Sequence, residues 1–339
     1  MDQLRGPTPI GRAGWLCVLL QLTAMMPGVQ AGTDAAEMPA ATAAASEEPL
    51  LPVPEPPLQD ARKVALGHQL FHEPRLSRDN SVMCASCHNL ASGGDDDRRV
   101  SAGVGGAAGV VNAPTVLNSS LNFRQFWDGR AATLEDQIDG PIESAHEMAI
   151  GWPEAVRRLE AIDGYRQSFA ELYADGIRPE NVKDAIATFE RTLVTPDSRF
   201  DRYLRGDAAA ITDDERRGYE LFKSLGCASC HQGAAVGGNM YERMGTVRDY
   251  FKDHGPAAGP DLGRYNVTGN ALHKSYFKVP GLRNVELTAP YFHNGSAATL
   301  DEAVRVMGHY NLGVELASAE VDLIVKFLRT LTGSVEATP

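Results

Sequence analysis

Two short runs of the sequence combine cysteine and histidine at the same spacing. Each is C-x-x-C followed at once by His, first at Cys84–His88 and again at Cys227–His231. This spacing lets two thiols bond to the vinyl groups of one haem while the adjacent imidazole ligates the iron. No cysteine after residue 31 is left over. The two motifs therefore predict two covalently bound c-type haems, one at Cys84, Cys87 and His88 and one at Cys227, Cys230 and His231.

Three other kinds of chemistry use four cysteines. An exported chain could form two disulfides, a zinc site would gather all four thiols into one cluster, and a C-x-x-C pair can act as a redox dithiol. None of these explains why both pairs end in histidine. The fifth cysteine, Cys17, lies in an apolar run within the first 31 residues and is expected to leave with them.

Residues 1–31 are typical of a secretory signal. Arg5 and Arg12 give a basic start, an apolar run follows over 15–26, and residues 29–31 suit a cleavage site. The run is too short for a typical membrane span, and no other segment is long and apolar enough. We expect a cleaved signal and a periplasmic mature chain, with an uncleaved anchor as the alternative.

Composition limits the partners of the chain and suggests its divisions. Of 339 residues, 43% are hydrophobic, and the formal charge of −12 argues against nucleic acid and anionic membranes as partners. Residues 32–59 are rich in Ala, Glu and Pro, which predicts a flexible leader. We predict one haem domain over 60–198 and a second over 199–334.

Helical periodicity dominates the rest of the chain and predicts an all-α fold with long irregular loops. Capping boxes, each a Thr followed three residues later by Glu, are expected to open helices at Thr212 and Thr299. Asn181 is expected to cap a further helix, and Ser318 to precede the last one. Glycine-rich loops over 92–113 and 232–270 are expected where a haem, rather than side chains, fills the core.

Several longer runs resemble one known family. They are LGHQLFHEPRLSRDNSVMCASCH at 66–88, NAPTVLN at 112–118, QFWDGR at 125–130, LVTPDS at 193–198, LRNVELTAPYFHNG at 282–295 and AVRVMG at 303–308. In these runs the chain resembles the bacterial dihaem cytochrome c peroxidases and their relative MauG. The resemblance covers nearly the whole predicted mature chain. It implies two cytochrome c-like domains, each with one haem c.

The resemblance implies that the second haem is saturated by two protein ligands. It pairs His231 with Met307, and a thioether ligand raises the reduction potential, which suits a haem that collects electrons. Met240 and Met244 are weaker alternatives for this ligand, and an ordinary core position is the other interpretation of Met307. MauG has tyrosine at the matching place, so Met307 favours a peroxidase-like electron-transfer haem.

At the first haem the chain departs from the usual family pattern. His88 is the near-side ligand, but the distal histidine of most family peroxidases is replaced by Val104. No histidine lies anywhere between Asn89 and Ala145. We therefore expect a permanently five-coordinate iron that reacts with peroxide without reductive activation, a feature that resembles MauG.

Three more residues match the catalytic machinery of the family. Glu147 matches the glutamate that takes a proton from one peroxide oxygen and returns it to the other. Gln137 matches a hydrogen-bond donor at the distal pocket. Trp127 matches the tryptophan between the haems, which relays electrons. Without the resemblance, Glu147 would be a surface glutamate and Trp127 a core side chain, and we expect an exposed or hydrogen-bonding role for His146.

The resemblance also implies one calcium ion between the haems. Its ligands would be Asn112, Thr288 and Pro290, because a side-chain amide and main-chain carbonyls supply the hard oxygen atoms that calcium prefers. His293 is expected near a haem propionate.

Three functional hypotheses follow. The leading one is reduction of hydrogen peroxide with electrons from a small cytochrome c or a copper protein of the cupredoxin type. The second is a MauG-like oxidation of Trp or Tyr side chains on a partner protein, and the third is plain electron transfer. The oligomeric state stays open, with a homodimer among the alternatives.

Overall fold

The computed structural model describes residues 48–334, so the predicted signal and most of the predicted leader lie outside the described residues. Helices dominate this part of the chain, as predicted. The α-helices are α1 Ala61–Phe71, α2 Cys84–Cys87, α3 Leu134–Glu143, α4 Trp152–Glu160, α5 Asp163–Leu172, α6 Pro179–Glu190, α7 Arg199–Leu204, α8 Asp213–Ser224, α9 Tyr250–His254, α10 Tyr265–Thr268, α11 Leu300–Val306 and α12 Ser318–Arg329.

Shorter elements lie between these helices. The 3-10 helices are Pro74–Leu76, Leu90–Ser92, Val104–Gly106, Ser119–Leu121, Cys227–Ser229, Gly259–Leu262, Ala271–His273 and Val285–Leu287, and a π-helical turn, Met307–Leu312, continues α11. Strands β1 Tyr241–Arg243 and β2 Tyr276–Lys278 form a small antiparallel sheet. No helix within residues 48–334 is both long and apolar enough to cross a membrane.

Each half of the described chain is built on one pair of crossing helices. Helix α1 crosses α6 at Gly67, where a Cβ atom would lie 2.0 Å from Ala185 O. Helix α8 crosses α12 at Gly218, where a Cβ atom would lie 2.0 Å from Leu323 O. Only glycine lets two helix backbones approach this closely. The two crossings belong to two separate clusters of buried apolar side chains.

Most of the expected helix starts are confirmed. Thr212 accepts a hydrogen bond from Glu215 N and donates its own N–H back to the Glu215 carboxylate, which is the predicted capping box. Thr299 caps α11 by accepting from Glu302 N, but the Glu302 carboxylate accepts from Ala298 N, so only half of that predicted box forms. The last helix, α12, begins at Ser318 itself rather than after it. The prediction for Asn181 is wrong, because α6 begins at Pro179, whose fixed φ and missing N–H suit the first turn of a helix.

The two halves repeat one turn in both sequence and backbone. FWDGRAATL at 126–134 and FHNGSAATL at 292–300 share six of nine residues at matched positions. Phe126 and Phe292 both take a left-handed backbone, with φ of 69° and 70°. A β-bridge closes each turn, and each turn leads into a helix, α3 or α11. The repeat therefore gives equivalent places in the two halves.

The segment before α1 is packed, where composition predicts a flexible leader. Leu50 and Val53 are 1% and 0% exposed and lie with the second half of the chain. Val53 N donates to Asp201 Oδ1 at 3.0 Å, and Arg283 donates to Leu51 O at 2.8 Å. Ordered contacts therefore begin well before α1.

Candidate functional site

The first motif is a single helical turn, α2, that ends at the predicted iron ligand. Ser86 Oγ accepts a hydrogen bond from Met83 N, and His88 N donates to Cys84 O, so both cysteines lie on a short fixed segment. His88 Nδ1 lies 3.1 Å from Gly94 O. Because a carbonyl can only accept, Nδ1 carries the proton and Nε2 keeps its lone pair for a metal.

The second motif repeats this arrangement. His231 N donates to Cys227 O, and His231 Nδ1 lies 3.3 Å from Val236 O. Burial lowers the pKa of His231 to about 4, and burial also lowers the pKa of His88. Both imidazoles are therefore neutral near pH 7, which is the form that binds a metal.

The thiols of the motifs do not have the character of a redox or zinc site. None of the four cysteines forms a disulfide. Burial raises the pKa of Cys84 to about 12 and that of Cys227 to about 11, whereas reactive or zinc-bound cysteines are held as thiolates. Within residues 48–334 no group of three or more His, Cys, Asp or Glu could hold a metal ion. These findings argue against the zinc and dithiol alternatives.

A large, mainly apolar cavity opens beside the second motif. Cys227, Cys230 and His231 lie in its wall together with Phe222 of α8 and Leu328 of α12. The crossing helices thus form one side of the cavity and the motif forms another. A flat apolar cofactor would fit such a cavity and would fill the space that side chains fill in an ordinary core.

A buried amine supplies this cavity with positive charge. Lys278, at the end of β2, is 7% exposed, and no carboxylate among the described residues pairs with it. Burial lowers the pKa of Lys278 to about 8. Because buried charges are normally paired, an anionic group is expected beside it, and a haem carries propionates. Thiols, neutral imidazole, apolar walls and buried amine together fit a haem.

Two methionines lie in the wall of this cavity. Met307 is the first residue of the π-helical turn after α11, and Met244 follows β1. Met240, the remaining alternative, is absent from the wall within the described part of the chain. The position of their side chains is therefore compatible with either Met307 or Met244 as the second axial ligand of a haem iron in this cavity.

The segment after β1 forms hydrogen bonds to the turn that carries Met307. Val247 N and Arg248 N both donate to Tyr310 O at 3.0 Å. The Arg248 guanidinium also donates to Gly313 O at 3.1 Å, just past the end of the turn. A π-helical turn has irregular hydrogen bonding, and such turns are frequent at functional sites. These added bonds fix the position of Met307 relative to the cavity.

Val104, the residue that replaces the expected distal histidine, lies directly beside Glu147. Val104 N donates to Glu147 O at 2.8 Å, and the Val104 side chain is 3% exposed within the first apolar cluster. At Gly103 a Cβ atom would lie 2.1 Å from His146 O, so the two segments touch through their backbones. The position that Val104 occupies is thus buried and apolar, and it adjoins the backbone of the predicted catalytic residue, Glu147.

The environment of Glu147 suits a proton-transferring carboxylate. Burial raises the pKa of Glu147, while a hydrogen bond from Ser144 and the charge of Arg130 oppose the shift. Burial raises the pKa of the Cys87 thiol, and the Glu147 carboxylate adds to that shift. Glu147 therefore lies within electrostatic reach of the first motif.

The two remaining distal candidates are less closely placed. Gln137 lies on α3, and its side chain makes no hydrogen bond within residues 48–334. His146 is exposed, and its Nδ1 lies 3.1 Å from Ala108 O, in the loop that contains Val104. The structure thus joins Glu147 to Val104 and leaves the role of Gln137 a prediction.

Comparison with known proteins agrees with this geometry. A family model described as di-haem cytochrome c peroxidase matches residues 61–209. The chain is 47% identical over 290 residues to the cytochrome c551 peroxidase of Nitrosomonas europaea, and the match covers 85% of both chains. This chain belongs to the di-haem cytochrome c peroxidase family. The predicted resemblance is therefore confirmed, and the family places the chain among peroxide-using oxidoreductases that carry haem c.

Two further relatives of this family show its range. The chain is 51% identical over 287 residues to cytochrome c peroxidase Ccp of Escherichia coli, and it spans only 61% of that longer relative. A crystal structure of a MauG-like protein associated with microbial copper homeostasis is 29% identical, with a TM-score of 0.73, and covers 84% of this chain and 93% of that one. The fold is thus shared by peroxidases and MauG-like proteins.

In this family member, Trp127 and His293 occupy equivalent places in the repeated turn and meet each other. Their rings lie edge to face with centroids 6.4 Å apart. Trp127 Nε1 donates to Asn112 O at 2.9 Å, and Trp127 lies in the wall of the second cavity. His293 Nε2 lies 2.8 Å from Asp261 Oδ1, so this carboxylate, rather than a propionate alone, is the partner available to His293.

The three predicted calcium ligands lie in the wall of the same cavity. Asn112 is buried, and its Nδ2 donates to Arg98 O at 2.8 Å, which leaves the Oδ1 atom free to face a cation. The structure therefore brings Asn112, Thr288 and Pro290 to one region, and calcium binding itself stays a prediction.

Sequence reasoning missed Lys278 and Arg248. Lys278 is a single lysine in a three-residue strand, and only its burial in the folded chain shows that it needs an anionic partner. Arg248 acts through a contact with residues more than sixty positions away in the chain. No local pattern signals either residue.

Proposed function

We propose that this chain is a di-haem peroxidase that reduces hydrogen peroxide to water with electrons from a small periplasmic cytochrome c or cupredoxin. The observation that carries the proposal is the asymmetry of the two sites. The wall of the second cavity contains methionine as well as its histidine motif, whereas the first site has the buried, apolar Val104 beside Glu147. One iron would then be saturated by side chains, and the other would keep a vacant position for peroxide.

Each haem would be held by two cysteines and one histidine, and the second haem would have a methionine as an additional ligand. Cys84 and Cys87 would bind the first haem with His88 as ligand, and the second haem would be bound at Cys227 and Cys230 with ligands His231 and Met307. The haems supply the redox chemistry, since an iron with one protein ligand can bind peroxide and an iron with two passes electrons. Lys278 would neutralise a propionate of the second haem.

Glu147 would move the proton that O–O cleavage requires. Its carboxylate would take a proton from one peroxide oxygen and return it to the oxygen that leaves as water. The raised pKa of this half-buried carboxyl suits both halves of that task. Gln137 would donate a hydrogen bond to the bound peroxide. Val104 excludes any side-chain ligand from the place where peroxide binds.

Electrons would reach the first site through the second. Met307 raises the potential of the second haem so that it accepts electrons from a reduced donor protein. Trp127, in the wall of the second cavity, would relay them, and a calcium ion at Asn112, Thr288 and Pro290 would fix the region between the sites. The predicted signal at residues 1–31 supports a periplasmic location, and the net charge of −12 suits a basic donor.

We expect the oxidised protein to show one high-spin and one low-spin haem in its absorption and electron paramagnetic resonance spectra. We also expect steady-state peroxide turnover with reduced cytochrome c that does not need prior reduction of the enzyme. Two low-spin haems, or no turnover with either a cytochrome or a cupredoxin donor, would contradict the proposal.

A second prediction concerns the vacant position itself. Val104→His should place an imidazole beside Glu147 and convert the first haem to a six-coordinate low-spin form, so that turnover of the oxidised enzyme falls at least about tenfold until the second haem is reduced. Val104→Leu is the matched control and should stay high-spin. If Val104→His keeps its high-spin signal, residue 104 does not face the iron.

A MauG-like oxidation of Trp or Tyr side chains on a partner protein is the second candidate. The same Val104 favours it, since the first iron would be open to peroxide at all times, as does the similarity to a MauG-like structure. The two candidates differ in the fate of the oxidising equivalents. Rapid consumption of peroxide without oxidation of any added donor protein would favour the second.

A further inference from the structure

Glu190, the last residue of α6, carries a buried carboxyl that the proposed mechanism does not use. The residue is 5% exposed, and its Oε2 atom is fully buried without a hydrogen-bond partner among the described residues. Buried polar atoms are nearly always hydrogen-bonded, so an orphan oxygen marks a place where a further group belongs.

The charged groups around Glu190 do not satisfy it. Burial raises the pKa of Glu190 to about 8, with the charge of Glu135 adding to the shift and that of Arg191 opposing it. Arg191 is ion-paired with Glu135, so its guanidinium is already engaged. On the side of α1, His68 stands edge-on to Phe189, and burial lowers its pKa, so it is neutral near pH 7.

Glu190 lies beside the first haem motif. After burial, the largest contribution that raises the pKa of the Cys84 thiol is the charge of Glu190. Cys84 also packs against the apolar cluster that contains Phe189 and Leu193, the neighbours of Glu190 along the chain. Once a haem is attached, Cys84 becomes a thioether that no longer titrates, and the haem rather than a thiol would then be the group near Glu190.

The repeated helix crossing gives an independent argument. The Cβ position of Gly67 lies 2.8 Å from Phe189 Cβ, and that of Gly218 lies 3.0 Å from Phe327 Cβ. Phe189 and Phe327 are therefore equivalent, and Glu190 is equivalent to Leu328, the next residue of α12. Leu328 lies in the wall of the second cavity, which also contains His231. By this equivalence the same position in the first half would line the first haem site, and there it is a carboxyl.

We propose that Glu190 is a further residue of the first haem site, where it faces the haem held by Cys84 and Cys87 and binds one proton when that haem gains one electron. The electron goes to the iron, and the proton joins the Glu190 carboxylate to give the neutral acid. Added negative charge in a buried, low-dielectric site disfavours a nearby carboxylate, which couples the two events. The proposal rests on haem attachment at Cys84 and Cys87, which is part of the proposed function.

The test is a potentiometric titration of the holoprotein at a series of pH values around 8, following the absorption of the first haem. Coupling of one proton to one electron makes a tenfold change in proton concentration equivalent to about 59 mV. We expect the wild-type potential to fall with a slope that approaches this value. In Glu190→Gln, which keeps the shape but cannot titrate, the slope should be close to zero.

Two further variants keep the result interpretable. Glu190→Leu copies the residue of the second half, so it should fold, and it should also lose the slope. Glu135→Gln, on α3, removes the other acid whose charge acts on Glu190 and should keep the slope. A flat wild-type profile, or a Glu190→Gln profile that matches the wild type, would overturn the proposal. An intact mass that lacks one haem would instead contradict the proposed function.

Discussion

Glu147→Gln is expected to lower kcat for peroxide reduction by about 10²–10⁴-fold, the usual contribution of a general acid–base group. The amide keeps the size of the side chain and its place beside Val104 but cannot take or return a proton. Because burial raises the pKa of Glu147 and the base is the carboxylate form, wild-type turnover should fall as pH drops through a value above the ordinary glutamate range. This limb of the pH–rate profile should vanish in the variant. Stopped-flow and steady-state rates across pH measure both effects.

A matched control is available four residues earlier in the chain. Glu143 ends α3 and is exposed, so Glu143→Gln removes the same charge without touching the site and should keep the wild-type rate. The KM for the donor protein and the midpoint of thermal unfolding should be unchanged in both variants. Equal rates for Glu147→Gln and wild type would remove Glu147 from the mechanism.

Met307→Leu is expected to have the second large effect. Loss of the thioether should abolish the near-infrared band of ferric iron bound to methionine and lower the potential of the second haem by a few tenths of a volt, within the range of about 0.8 V that axial ligands span. Electron uptake from the donor should then limit turnover, whereas binding of peroxide at the first haem should be unchanged. The swap conserves volume, so it should cost less than about 1.5 kcal/mol of stability.

Met244→Leu is the decisive comparison, because Met244 lies in the wall of the same cavity. If Met307 is the ligand, this variant keeps both the near-infrared band and the potential. The reverse outcome, with the band lost in Met244→Leu and kept in Met307→Leu, would transfer the ligand role to the loop after β1. Redox titrations of both variants would show the same division.

The sequence predicts well those features that depend on local chemistry. The C-x-x-C-H spacing, the Thr212 and Thr299 caps and the mainly helical fold each depend on a few neighbouring residues, and the structure contains them. Asn181 shows the limit of such rules, since Pro179 two residues earlier satisfies the first turn of α6 better. Pro179 and Asn181 are both local signals for a helix start, and the packing of the whole helix decides between them.

The residues that sequence reasoning missed depend on burial, which is a property of the folded chain. Glu190 and Lys278 would read as ordinary charged residues of a helix and a strand. Their importance follows from their surroundings. Among residues 48–334, the Glu190 carboxyl has an oxygen without a hydrogen-bond partner, and the Lys278 amine has no counterion. The repeat helps to identify Glu190, because its equivalent in the second half, Leu328, is apolar.

The early segment around Leu50 and Val53 has a consequence for how the chain is assembled. This segment is synthesised before the first helix pair, yet its partners, Asp201 and Arg283, belong to the later half. Asp201 and Arg283 form a buried ion pair that the segment completes through its backbone. The later half therefore consists of two parts of the sequence, one before and one after the earlier half. A fragment that starts at residue 199 would keep the whole second motif but expose the most deeply buried charges of its own core.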